Sequence, residues 1–132
     1  MKTRKLVTVF GAAAAFTFLG ANAAVAADYK MTTLGHIVFA GGTMEFTKYG
    51  DIVKVCDTDA DGQAAKGWVK DTSGVVRYTL QAGGNGTCVT KRASQGGAYD
   101  LPEGRKYTFQ VCLHTADYGD GYCNRKDWTN NG

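Results

Sequence analysis

Apolar and polar residues alternate most regularly between residues 106 and 114. The apolar set is Tyr107, Phe109, Val111 and Leu113, and the polar set between them is Thr108, Gln110, Cys112 and His114. Successive side chains of a β-strand point to opposite faces, so a period of two predicts a strand with the apolar set in the core. Cys112 is then expected to face outward.

Shorter segments of similar character recur along the chain, separated by glycine-rich or aspartate-rich turns. The predicted strands are His36–Ala40, Thr43–Tyr49, Ile52–Asp57, Gly67–Lys70, Val75–Gln81, Thr87–Arg92, Lys106–His114 and Gly121–Trp128. Short, regularly spaced strands without an amphipathic helix between them predict an antiparallel all-β domain. Seven or eight such strands favour a two-sheet sandwich, and an irregular barrel is the alternative.

Leu101, Gly104 and Tyr107 are spaced as Leu-x-x-Gly-x-x-Tyr at the start of the clearest strand. This spacing resembles the tyrosine corner of fibronectin type III and immunoglobulin-like sandwiches, in which a tyrosine near the start of strand F ties back the preceding turn. The resemblance implies that residues 106–114 form strand F and residues 121–128 form strand G.

The same resemblance makes residues 52–57 strand B and residues 87–92 strand E, which bears on the disulfides. The cysteines are Cys56, Cys88, Cys112 and Cys123, and their even number predicts two bonds. Val53 and Val55 alternate inward along strand B, so Cys56 faces outward, as Cys112 does from the opposite sheet. A bond through the core between these two cysteines is therefore disfavoured. Pairing of neighbouring strands favours Cys56–Cys88 and Cys112–Cys123 over the other two combinations.

The second of these bonds conflicts with the local turn residues. Strict pairing of Cys112 with Cys123 centres the hairpin at Asp117-Tyr118, whereas the best turn residues are Gly119-Asp120-Gly121. A wide loop or a β-bulge would reconcile the two.

The first 26 residues have the three-part layout of a secretory signal peptide. They contain a basic start, an apolar run and a small-residue cleavage pattern: Lys2, Arg4 and Lys5, then Leu6–Leu19, then Ala24-Val25-Ala26. We expect cleavage near Ala26 and secretion of the remainder. Residues 27–132 then form a single domain, in which residues 27–35 are expected to be a loose N-terminal segment.

Removal of this peptide abolishes the net positive charge. The chain has 15 Lys and Arg against 12 Asp and Glu, and three of the basic residues lie in the signal peptide, which leaves 12 of each. We therefore expect no nucleic-acid partner and, because no later segment is apolar enough, no membrane insertion. The remaining basic pairs are interpreted as solvated strand or loop ends: Lys91-Arg92, Arg105-Lys106 and Arg125-Lys126.

Asp57, Asp59 and Asp61 precede Gly62 in the pattern Asp-x-Asp-x-Asp-Gly. Carboxylates at alternate positions of such a loop converge on calcium. The bidentate glutamate that an EF-hand needs six residues after the glycine is replaced by Trp68, and no helix flanks the loop. A partial calcium site remains a hypothesis, whereas an Asx-rich turn whose carboxylates cap backbone amides is favoured. No other cofactor is expected.

A longer resemblance rests on three features: the run from Gly50 to Gly62, a later Tyr-x-Phe-x-Val-Cys strand, and a final cysteine before an aromatic residue. Together they resemble small secreted proteins of actinomycetes such as Streptomyces, over most of the chain from about residue 44. The shared motifs are structural. The resemblance implies an extracellular location and a β-fold, and it implies no activity.

Catalytic patterns are not visible in the sequence. His36 and His114 have no partner at metal or catalytic spacing, and the cysteines are expected to be oxidised, so we expect no enzyme. Aromatic residues supply the candidate ligand-binding surface: Trp68, Trp128, Tyr118 and Tyr122. A core position is favoured for Trp68, whereas the two possibilities are balanced for Trp128.

The expected function is a non-enzymatic binding or cell-surface interaction module that acts as a monomer. Its partner would be an unknown extracellular protein or a cell-wall polysaccharide. One alternative is an inhibitor or toxin-like effector that inserts the loop around residues 115–122 into a protein target. Another is a calcium-dependent adhesion module.

Overall fold

Two four-stranded antiparallel sheets pack face to face around one core. The computed structural model describes residues 26–35 and 41–132. Its strands are β1 (Tyr29–Thr32), β2 (Gly42–Thr47), β3 (Ile52–Asp57), β4 (Ala64–Lys70), β5 (Val76–Gly83), β6 (Cys88–Lys91), β7 (Arg105–Thr115) and β8 (Gly119–Asn130), with short 3₁₀ helices at Ala93–Gln95 and Gly97–Tyr99. Sheet A has the order β1-β2-β3-β6 and sheet B the order β5-β4-β7-β8. The predicted two-sheet, all-β sandwich is confirmed.

Alternate residues of both sheets form the core. The buried core residues of the strands are Met31, Met44, Phe46, Val53 and Val55 from sheet A, and Ala65, Val69, Tyr78, Leu80, Tyr107, Phe109 and Val111 from sheet B. The predicted inward set of β7 is buried as expected. Gly67 lies where the sheets approach closely, because a Cβ there would stand 2.6 Å from the Val55 Cγ2 atom. Any side chain at this position of β4 would push the sheets apart.

Each sheet carries one disulfide between hydrogen-bonded neighbouring strands. Cys56 of β3 is bonded to Cys88 of β6, and Cys112 of β7 to Cys123 of β8, so the predicted pairing is confirmed. Such bonds are compatible with an extracellular location. None of the helices in the described ranges has the length and apolarity of a membrane span.

The β7–β8 hairpin contains a bulge at its disulfide. Residues 116–118 form the turn between the two strands. The register shifts at Cys112, so that Tyr122 and Cys123 together lie opposite this one residue. The extra residue reconciles the disulfide with the turn, and of the two predicted explanations the bulge is the one observed.

The N-terminal segment predicted to be loose contains strand β1. Tyr29–Thr32 pairs antiparallel with β2, and Met31 is buried in the core. The Tyr29 ring stacks on Trp128 with centroids 5.1 Å apart. Four residues carry too short an alternation to be recognised, and the strand forms because its inward residues complete the core. The predicted strand His36–Ala40 lies outside the described residues.

A side-chain hydrogen bond ties down the turn before β7. The Tyr107 hydroxyl donates to the carbonyl oxygen of Pro102 at 3.0 Å. Leu101 is buried, and Gly104 has a φ of 72°, a conformation that favours glycine. These are the three positions of the Leu-x-x-Gly-x-x-Tyr spacing, and the bond is the one expected of a tyrosine corner.

Candidate functional site

The aspartate-rich loop between β3 and β4 does not assemble the hypothesised calcium site. The buried Asp57 carboxylate accepts hydrogen bonds from the backbone N–H groups of Asp59 at 3.2 Å and Gly84 at 2.7 Å. The Asp61 carboxylate accepts from the backbone and the side chain of Gln63. In the ranges that the structure describes, no three His, Cys, Asp or Glu side chains are grouped so that they could hold a metal ion. The carboxylates of Asp57, Asp59 and Asp61 instead cap backbone amides.

Two of the candidate aromatic residues lie on the β7–β8 hairpin, Tyr118 in its turn and Tyr122 in β8. Tyr118 is 92% exposed and Tyr122 is 44% exposed, and both line a cleft of about 420 Å³. Beside it, the Nδ1 atom of His114 lies 2.6 Å from the Asp120 carboxylate. Among the residues that the structure describes, no charged side chain lines the cleft itself. Ligand sites orient their ligands through a few convergent polar groups, so a more strongly charged surface is the better candidate.

The two tryptophans occupy opposite environments. Trp128 packs on the core, with its ring centroid 4.8 Å from that of Phe109. Trp68 lies on the outer side of sheet B, because its neighbours Gly67 and Val69 on β4 point inward. The core position favoured for Trp68 is therefore wrong, and Trp128 is the tryptophan that completes the core.

Four cations lie near Trp68 in the register of sheet B, three of them on its outer side. Lys66 and Lys70 stand two residues before and after it on β4, and therefore share its face. Arg125 of β8 lies in the same cross-strand row as Trp68. Arg77 lies on β5 beside Lys70, where the register between β4 and β5 shifts. A shift of this kind changes the direction of a side chain. We call these five residues the cationic face.

Carboxylates do not neutralise this face: none of its cations forms an ion pair with a described residue. The Lys66 Nζ atom lies 5.2 Å from the centroid of the Trp68 ring, and the Lys70 Nζ atom donates to the Gln110 side-chain oxygen at 2.9 Å. The nearby Asp127 carboxylate accepts a hydrogen bond from the Thr108 hydroxyl. The outer side of sheet B thus presents cations without direct ion pairs among the described residues, next to an aromatic ring.

Two clefts adjoin the cationic face at the end of β4. One, of about 350 Å³, includes Lys70, Thr108, Arg125 and Asp127 in its lining. The other, of about 300 Å³, is lined by Arg77, Arg105, Lys106 and Tyr107, and we call it the notch. Asp71 and Thr72 of the turn after β4 line both. Cations therefore line both clefts, with the Asp71 carboxylate shared between them and the Asp127 carboxylate in the first.

Net charge and adjacent basic pairs did not reveal this surface. Arg105-Lys106 lies at the start of β7 and Arg125-Lys126 lies within β8, and the order β5-β4-β7-β8 places both strands in one sheet with the lysines of β4. The useful signal in the sequence was the alternation Lys66-x-Trp68-x-Lys70, which places three side chains on one face of a strand.

Comparison with known proteins identifies a fold and no family. No protein-family model and no curated protein matches the chain. The fold is similar to part of a crystal structure described as an endonuclease/exonuclease/phosphatase from Beutenbergia cavernae DSM 12333, with a TM-score of 0.52 and 22% sequence identity. The match covers 77% of this chain and 27% of that chain, so this chain spans about a quarter of the neighbour's length.

This likeness contradicts the predicted function. A non-enzymatic binding or cell-surface interaction module was predicted, with an inhibitor or toxin-like effector and a calcium-dependent adhesion module as alternatives. The neighbour that shares the fold is instead described as an endonuclease/exonuclease/phosphatase. The prediction treated the lack of a catalytic pattern in one small domain as the lack of an enzymatic role, although a β-sandwich can be one part of a larger enzyme.

Proposed function

We propose that this domain binds single-stranded nucleic acid across the cationic face and holds it as the substrate of phosphoester cleavage. The observation that carries the proposal is a group of cations without ion pairs among the described residues, placed around Trp68: Lys66, Lys70, Arg77 and Arg125. Contacts between such cations and backbone phosphates release counterions, which drives binding without regard to sequence.

Trp68 supplies the second element of a single-strand site. Stacking of a base on an aromatic side chain contributes about 1–3 kcal/mol and tolerates every base. Lys66 now contacts the ring, and its flexible stem lets the ammonium group move to a phosphate when a base stacks. Thr79 and Gln110, the two cross-strand neighbours of Trp68, provide neutral hydrogen-bonding groups beside it.

The fold comparison supports nucleic acid among the polyanions that this charge would attract. The neighbour is described as an endonuclease/exonuclease/phosphatase, and this chain spans 27% of that protein. We therefore assign substrate binding to this chain and leave the cleaving groups to the remainder of such an enzyme. An acidic polysaccharide would satisfy the same charges, so the test must separate the two ligands.

This proposal replaces the expectation that nucleic acid is not a partner. That expectation rested on net charge, which sums the cations of sheet B with carboxylates elsewhere, such as those of Asp57, Asp59 and Asp61.

We also propose secretion through the signal peptide predicted at residues 1–26, which the two disulfides support. The bond between Tyr107 and Pro102 supports an immunoglobulin-like identity for the sandwich.

Fluorescence anisotropy of the purified, disulfide-bonded protein with a labelled oligothymidylate of about 12 nucleotides tests the proposal. We expect binding that quenches tryptophan fluorescence and weakens with salt, with a slope of log K against log salt of about −0.7 for each phosphate contact. Polygalacturonate, an anionic polymer without phosphates or bases, serves as the competitor. If it competes as well as unlabelled oligothymidylate, the surface binds acidic polysaccharide; if the oligonucleotide does not bind at low salt, the proposal is wrong.

A further inference from the structure

The notch arises because the start of β7 extends beyond the end of β4, its antiparallel neighbour. Lys70, the last residue of β4, pairs with Thr108 on β7 and Val76 on β5. β7 begins at Arg105, so its first residues extend beyond β4 and pair with β8 alone. The space left beyond the end of β4 is the notch of about 300 Å³.

Positive charge dominates this space. Its lining has three cations, Arg77, Arg105 and Lys106, against the single carboxylate of Asp71. One oxygen of that carboxylate accepts hydrogen bonds from the backbone N–H groups of Ser73 and Val75 within its own turn. No ion pair links the three cations to any residue that the structure describes. The lining therefore carries two net positive charges.

Buried hydrogen bonds hold the wall of the notch in place. The Asp51 carboxylate accepts from the Leu101 backbone N–H and from the Asn130 side-chain amide, each at 2.7 Å. The Gly104 backbone N–H donates to the Asn130 carbonyl oxygen at 2.6 Å. The backbone that precedes Arg105 is thus fixed from both sides, which lowers the cost of ordering a ligand there.

Charges of both signs act on Tyr107, which lines the notch. Burial raises the pKa of Tyr107, and the charges of Arg77 and Arg105 lower it. The charges of Asp51 and Asp100 raise this pKa. The Arg77 Nε atom is buried and has no hydrogen-bond partner. An oxyanion beside this guanidinium would compensate a charge that the protein leaves unpaired.

We propose that the notch binds the terminal phosphate monoester of a nucleic-acid strand that lies on the cationic face, an inference that rests on the proposed function. A phosphate monoester carries about −1.5 to −2 charges at neutral pH, which matches two net positive charges better than the single charge of an internal phosphodiester. Two guanidinium groups also match the geometry of its oxygens. Arg77 and Lys70 lie at the junction of face and notch, so one strand can occupy both.

Fluorescence anisotropy tests this inference. The probes are oligothymidylates of equal length that carry either a phosphate or a hydroxyl at the 5′ or the 3′ end. We expect one terminal phosphate to tighten binding about tenfold, through charge-assisted bonds to the arginines. The exposed Arg105→Gln variant should lose this preference and keep the affinity for the hydroxyl-terminated strand. Lys30→Gln, on the outer side of sheet A, is the matched control and should keep the preference. Thermal unfolding checks that both variants are folded.

Failure of the inference is distinguishable from failure of the proposed function. If oligonucleotides bind but neither terminal phosphate improves affinity, the notch is not a phosphate site and the cationic face stands. If no oligonucleotide binds, inorganic phosphate becomes the probe, and backbone amide chemical shifts of residues 105–107 are followed by NMR. Saturable shifts that Arg105→Gln abolishes would then assign the notch to free phosphate, and the absence of shifts would overturn the inference.

Discussion

The outer faces of the two sheets both carry cations, but only sheet A neutralises them. Lys30, Glu45 and Lys54 stand directly opposite one another on β1, β2 and β3. The Glu45 carboxylate lies 3.1 Å from the Lys30 ammonium and 3.2 Å from that of Lys54. On sheet B, Lys66 and Lys70 have no such partner among the described residues. Each sheet has one disulfide, so the two faces differ in the pairing of their charges and not in their number of covalent crosslinks.

Cross-strand neighbours explain this difference. Directly opposed side chains form the interacting pairs of a sheet. The residue opposite both Lys30 and Lys54 is a glutamate, whereas the residues opposite Lys66 are Gln81 and Cys112, neither of which carries a charge. Balanced composition can therefore coexist with one compensated face and one that is free to bind an anion.

The largest expected effect comes from neutralising the cationic face with Lys66→Gln, Lys70→Gln, Arg77→Gln and Arg125→Gln together. At about 0.1 M salt each phosphate contact on a single strand contributes roughly a factor of five, so four contacts contribute roughly 600-fold, or about 3.8 kcal/mol. Anisotropy with oligothymidylate measures the loss, and the salt slope should become shallower at the same time.

The matched control for this variant is Lys30→Gln with Lys54→Gln on sheet A. These cations are already paired with Glu45, so their loss should change oligonucleotide affinity by less than about twofold. This control removes two charges and the first variant removes four, so an equal loss of binding free energy per charge would mean that net charge, and not the arrangement on one face, attracts the strand.

Removing each disulfide separately measures how much it contributes to the free energy of unfolding. Cys56 and Cys88 are 32 residues apart, and Cys112 and Cys123 are 11 apart. Loop-closure entropy predicts a cost of about 3.7 kcal/mol for replacing the first pair by alanine and about 2.8 kcal/mol for the second. Urea unfolding of the two double variants measures both costs. The reverse order would show that packing around the cysteines outweighs the entropy of the unfolded chain.

Strand parity made most of the fold and both disulfides predictable. The alternation from Tyr107 to Leu113 located the core side of β7, and the outward positions predicted for Cys56 and Cys112 disfavoured a bond through the core. Strand β1 was missed because its four residues carry little pattern, and its stability comes from contacts such as that between Tyr29 and Trp128, which form only in the folded protein.

The candidate site was less predictable because it depends on the order of strands within a sheet. Lys66, Arg77 and Arg125 lie on three strands that are far apart in sequence, and the alternation in β4 reveals only the first of them. The notch depends on where β4 ends relative to β7, and strand ends are the least certain part of a sequence-based assignment.

Alanine substitution of the tryptophans should separate binding from stability. Trp128→Ala removes aromatic contacts to the core and should destabilise the fold by about 2 kcal/mol, less than a fully buried tryptophan would. Trp68→Ala leaves the core intact and should weaken oligonucleotide binding about tenfold through lost stacking. Urea unfolding and anisotropy on both variants give the comparison. Unchanged affinity in Trp68→Ala would remove stacking from the proposed binding mode.

The smallest expected effect is that of Glu45→Gln on the outer side of sheet A. Burial by itself would raise the pKa of Glu45, but hydrogen bonds and charges from Lys30 and Lys54 outweigh it and hold the pKa below its ordinary value of 4.5. Because the pKa of Glu45 is lower in the folded state than in the unfolded state, its ionised carboxylate contributes fully to stability above the unfolded-state pKa. This contribution is lost as the pH falls through the folded-state pKa. Glu45→Gln should therefore cost about 0.5 kcal/mol at neutral pH. Urea unfolding across pH should show this cost vanishing in acid, and a cost that stays constant with pH would mean that the carboxylate acts through packing and not through its charge.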